Sequence, residues 1–190
     1  TGAVGADGAT GPKGDTGAAG ASGSVTALSD ALVEDNSIYI GNDPSATTST
    51  AQYNIAIGTT ALDAVTTGDY NVAVGYDALT TNTTGWGNTA SGSNALSNNV
   101  WGDNNVANGS YALYSNTNGA YNVASGSEAL KSNETGTDNT ASGFQAMSNN
   151  TTGWDNTASG SNALGGNISG DRNTASGYNA LGRNETGSFN

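Results

Sequence analysis

The chain offers little for chemistry, having no histidine and no cysteine. A Ser-His-Asp triad, a thiolate nucleophile and imidazole or thiolate metal sites are all excluded. Carboxylates remain, and Asp69, Asp103, Asp138, Asp155 and Asp171 recur in turn-like surroundings. Oxygen ligands of this kind can hold Ca²⁺, but no segment has a calcium-loop spacing, and isolated turn acids are ordinarily solvated. Glycosidase chemistry needs a positioned carboxylate pair, and nothing in the sequence singles one out. The chain reads as a non-enzyme without a cofactor. The other residues able to recognise something are aromatic: Trp86, Trp101 and Trp154 in one recurring loop, and Tyr111 with Tyr114 in one copy. Such rings stack on sugars or anchor a partner, or simply pack over their own turn.

What must position these side chains is a repeat. The 17-residue unit N-x-A-x-G-x-x-A-L-x-x-N-x-x-G-x-x runs eight times from Asn54 to Phe189 without a gap, and Asn190 starts a ninth. Its first position is Asn54, Asn71, Asn88, Asn105, Asn122, Asn139, Asn156 and Asn173. Its fifth is Gly58, Gly75, Gly92, Gly109, Gly126, Gly143, Gly160 and Gly177. Position nine is Leu except Met147, and position twelve is Asn except Val65. A short fixed period marks a solenoid, in which each unit buries its face only against its neighbours.

Helix propensity is poor, with 29 Gly and abundant Asn and Thr, and no apolar stripe of helical period is sustained. Positions one to five alternate as a strand does, Asn, Ala and Gly to one side and positions two and four to the other. Ala-Leu at eight and nine ends the alternation, placing a corner between five and nine. We therefore expect all-β coils of two short strands and two turns, with the glycines at five and fifteen at positive φ. One Leu and two Ala per copy make a thin core, so coil-to-coil hydrogen bonds must carry much of the stability. Asparagines repeated in register suit amide ladders. Position one favours a ladder, whereas position twelve fits a ladder or turn chemistry equally.

So thin a core suggests association, and residues 1–23 suggest its order. Glycine falls at every third residue from Gly2 to Gly23, the pattern that a three-chain collagen-like helix demands at its crowded axis. A homotrimer is the working stoichiometry. Residues 24–36 read as a neck or linker, with Val25, Leu28 and Leu32 spaced for a short helix. Residues 37–53 read as an atypical capping coil, Ser37 taking the first position, Tyr39 the third and Pro44 the eighth. Residues 54–190 hold the eight repeats and the start of the ninth. With no starting Met or signal peptide, and a stop at Asn190, the sequence reads as an excerpt of a longer fibre.

The strand motif, NSIYIG at 36–41, NIAIG at 54–58 and NVAVG at 71–75, resembles the YadA-like head repeats of trimeric autotransporter adhesins. The later copies, NTASGSNAL and NTASGYNAL, resemble the same repeat class in collagen-containing phage tail fibres and bacterial surface fibres. The resemblance covers 36–190 and implies a left-handed trimeric parallel β-roll at a bacterial cell surface or in a virion tail fibre. It departs from the family at positions two and four, which are mostly Thr and Ser from Thr89 onward rather than aliphatic. If these positions face the other chains, Ile55, Ile57, Val72 and Val74 grip near the neck and polar ladders follow. If they face water, the early aliphatics need another reason.

Sixteen acids against four bases give a net charge of −12, which keeps a fibre soluble and argues against nucleic acid. No apolar run is long enough to insert in a membrane. The expected function is a structural shaft of an extracellular homotrimeric fibre that presents a distal attachment tip. The alternative is an adhesin head that binds a host-surface glycan or receptor through its loop aromatics. Ice binding on a Thr-x-Ser face is a third reading, interrupted by Val106, Asn108 and Val123.

Overall fold

The computed structural model describes residues 31–34, 36–41 and 50–190. The collagen-like triplets at 1–23, residues 24–30 of the neck, and residues 42–49 of the capping coil lie outside the described residues. The chain is an all-β solenoid whose strands form one ten-stranded sheet in sequence order. The strands are β1 (Ala31–Glu34), β2 (Ser37–Ile40), β3 (Ile55–Ile57), β4 (Val72–Val74), β5 (Thr89–Ser91), β6 (Val106–Asn108), β7 (Val123–Ser125), β8 (Thr140–Ser142), β9 (Thr157–Ser159) and β10 (Thr174–Ser176). From β2 onward every pairing is parallel and displaced by one repeat, as in Ala90 opposite Ala107. The 17-residue repeat is therefore the coil.

Each coil holds one strand, not two. Only positions two to four have the extended geometry, because the Gly at position five begins a run of turns that lasts through position eleven. Hydrogen bonds still link the turn-rich half to its neighbours. Leu79 N–H donates to Ala95 O at 3.1 Å, and Thr66 N–H to Thr83 O at 2.9 Å. Each coil thus satisfies its backbone with the coils on either side, as buried peptide groups require.

Three further positions carry left-handed backbone: seven, nine and seventeen, represented by Glu128 (φ 59°), Leu130 (φ 51°) and Tyr121 (φ 58°). A buried Leu in this region is unusual. Here it turns the side chain inward while its N–H reaches the next coil. At position five φ is strongly positive, 137° at Gly92, as expected. At position fifteen it is not, and the requirement for Gly there is steric. A Cβ on Gly85 would lie 2.5 Å from the Gly102 carbonyl oxygen and would also strike Asn82 Oδ1.

The core is a column within the coils. Ala at three and eight, Leu at nine, and Asn at one and twelve are fully buried through the central repeats, while positions two and four point outward. Tyr39 fills the position-three slot of the first coil and is fully buried. Beside it, Ser37 Oγ accepts the N–H of Asn54 at 2.9 Å, in the place where later coils use an Asn side chain.

The helical spacing noted in the neck does not give a helix at 31–34. Ala31–Glu34 is a strand, antiparallel to β2, with Leu32 opposite Tyr39. Asn36 at φ 60° completes the reversal. A helix of about ten residues is marginal on its own, whereas the open edge of β2 offers unpaired backbone groups at once.

Candidate functional site

The asparagine columns are the most ordered polar groups in the solenoid. At position one, Asn105 donates its N–H to Asn88 Oδ1 at 2.9 Å, and its Nδ2 to the same oxygen at 3.1 Å. Its Nδ2 also reaches Gly119 O at 2.8 Å. At position twelve, Asn116 Nδ2 donates to Asn99 Oδ1 at 2.7 Å and to Gly119 O at 2.9 Å. The position-fifteen carbonyl is therefore a shared acceptor for two ladders. Position twelve does both things expected of it, since its bond to Gly119 O closes a local turn while the other joins coils. These residues are buried and saturated with protein partners, so they hold the structure and offer nothing to a ligand.

The acids at position sixteen are not merely solvated. Asp69 Oδ1 accepts Gln52 N–H at 2.7 Å, Asp103 Oδ1 accepts Trp86 N–H at 3.0 Å, and Asp171 Oδ1 accepts Trp154 N–H at 3.0 Å. Each clips one coil to the previous one. No group of three or more acids able to hold a metal ion occurs among the described residues.

The aromatic candidates do not gather into one site. Trp101 is 59 % exposed and Trp86 48 % exposed, and neither forms a ring pair among the described residues. Trp154 is covered, with the Arg172 guanidinium 3.9 Å from its ring centroid and Arg172 also facing Phe189. Tyr111 and Tyr114 do meet, their centroids 5.4 Å apart and tilted by 56°. Lys131 Nζ lies 5.5 Å from the Tyr111 centroid. Tyr53 and Tyr70 form a second, parallel stack at 4.8 Å.

Beside the tyrosine pair lies a polar cluster. Lys131 Nζ is 3.3 Å from Glu128 Oε2, and Gln145 Nε2 donates to the same oxygen at 3.1 Å. Gln145 first, then Lys131, hold the Glu128 carboxyl below the usual glutamate range. From this cluster an open groove of about 490 Å³ runs along the solenoid across four coils, lined by positions seven, ten and eleven. Gly165, Gly166 and Gly182 line it without side chains, and Gln145, Asn149, Asn162 and Asn179 bring amides to it. The sequence signal was available: positions ten and eleven shrink from Tyr114 and Ser115 to Gly165 and Gly166 within three repeats.

The geometry defines a β-solenoid repeat protein with 17-residue coils. No family model, no curated protein and no solved structure matches the chain.

Proposed function

We propose that this chain is a structural shaft of an extracellular homotrimeric fibre, a spacer that presents a distal attachment tip from a bacterial surface or a virion tail. The observation that carries this reading is the uninterrupted one-repeat register from Ile38 to Ser176. Such a stack grows by about 4.8 Å per coil, roughly 40 Å for nine coils, and resists bending because every coil bonds to both neighbours. The trimer rests on the collagen-like triplets and on Ile38, Ile55, Ile57 and Val74, which form an exposed aliphatic stripe on the outer sheet face. Three chains sharing that stripe would remove it from water. Sedimentation of the whole chain should give three copies, and Ile57→Lys should weaken the assembly. A stable monomer at micromolar concentration sinks the reading.

The exposure of Trp86 and Trp101 favours one other reading, an adhesin head that binds glycans through these loops. Glycan binding abolished by Trp86→Ala or Trp101→Ala would carry it.

A further inference from the structure

The groove beside Glu128 and Lys131 has a lining suited to one class of ligand. Side-chain amides supply both donors and acceptors, and Ser132 and Ser148 add hydroxyls. The side chains of Asn149 and Asn179 make no hydrogen bond within the described residues, so their polar atoms are free for a ligand. No aliphatic or aromatic side chain lines the groove, which disfavours lipids and apolar peptide anchors. Its only charges, Glu128 and Lys131, are paired with each other. With a net charge of −12, the chain repels polyanions at long range.

Two features add direction. The amide at position seven recurs once per coil, as Gln145, Asn162 and Asn179, so the groove repeats this amide about every 4.8 Å over about 10 Å. One coil before Glu128 and Lys131, their two positions are taken by Tyr111 and Tyr114, placing tilted rings just beyond the end of the groove. A polymer of polar units about one coil long, with a flat apolar face for a terminal ring contact, fits this arrangement.

We propose that the groove binds a neutral glycan chain lying along the solenoid axis, its hydroxyls on the amides of Gln145, Asn149, Asn162 and Asn179 and one terminal sugar against Tyr114. This site is separate from the loop tryptophans, and it goes beyond the shaft reading without depending on it. No strand residue lines the groove, so chains joined through positions two and four leave it in place.

The test is calorimetry and saturation-transfer NMR on the whole chain with malto-, cello-, manno- and chito-oligosaccharides of four units, and with sialyllactose as the acidic probe. At least one neutral probe should bind more tightly than sialyllactose. Ser148→Trp and Asn149→Trp, which fill the groove, should each weaken that binding by roughly tenfold or more, and Tyr114→Ala by about threefold. Trp101→Ala should leave it unchanged. Asn149 is exposed, so its variant remains informative if Ser148→Trp does not fold. Binding of no neutral probe, preference for sialyllactose, indifference to the groove-filling variants that fold, or loss on Trp101→Ala each overturns the proposal. Sedimentation separately decides the shaft reading.

Discussion

Asn88 presents both its backbone N–H and its side-chain Nδ2 to a single oxygen, Asn71 Oδ1, at 3.0 and 3.2 Å. One buried acceptor therefore fixes the chain position and the side-chain rotamer of the next coil together. Repeated at every junction from Asn88 to Asn190, this relationship sets register along that length of the solenoid. Register error in a strand normally turns the apolar set outward, and here it would also bury unmatched amides.

Asn105→Ala removes an acceptor used by Asn122 N–H and Nδ2 and a donor to Gly119 O. Leaving these groups buried without their partner should cost about 2 to 4 kcal/mol. Urea denaturation of the variant against the parent chain measures it. A change below about 0.5 kcal/mol would mean that the ladder contributes little.

Gly92→Ala should be as severe, for a different reason. Its φ of 137° is hostile to a side chain, and the added Cβ would sit 2.7 Å from the Gly109 carbonyl. Strain and overpacking together should cost about 2 to 4 kcal/mol, read as a lower thermal midpoint. An unchanged midpoint would show that the coils can spread at no cost.

Tyr121→Gly should stabilise. Tyr121 is an exposed residue at φ 58°, and the equivalent position two coils earlier is already Gly87 at φ 68°. Relief of left-handed strain, less the entropy that Gly brings to the unfolded chain, should gain roughly 0.5 to 1 kcal/mol. A loss of stability would show that the ring packs better than its exposure suggests.

Glu128 should give a small acid-side dependence. Gln145 and Lys131 lower its folded pKa, so its contribution is complete above the usual glutamate range and is lost as pH falls through the lowered folded value. The thermal midpoint of the parent should exceed that of Glu128→Gln at neutral pH, and this advantage should vanish in acid. A difference that does not change with pH would separate Glu128 from its two partners.

Much of the architecture was legible because the repeat has no insertions: coil length, the inward set at positions one, three, eight and nine, and the outward set at two and four follow from frame and alternation, whereas position twelve fitted a ladder or a turn equally. The second strand was a misreading of the turn-rich half, where interrupted backbone bonds still pair the coils. Gly85 and its equivalents were assigned to positive φ because sequence cannot distinguish a glycine needed for its torsion from one needed for its missing Cβ. Leu130 in left-handed backbone left no local trace, since only its neighbours above and below make that conformation worthwhile. The hairpin at Ala31–Glu34 was hidden because its helical spacing is a local property, whereas the edge of β2 that captures it is a tertiary one. The groove passes Gly165 and Gly166, and a missing side chain is a weaker signal in a sequence than a ring or an acid.

The doubly used carbonyl at position fifteen has a consequence for how such a chain can change length. Gly119 O serves Asn105 and Asn116 of its own coil, while the amide oxygens of these residues serve the following coil. The connections are the same at each central junction. Removal or duplication of 17 residues would join like to like, whereas a 16-residue change would set a buried amide against a position with no partner. Lengthening by recombination between copies is therefore quantised, and the reach of the rod can be altered over generations one whole coil at a time.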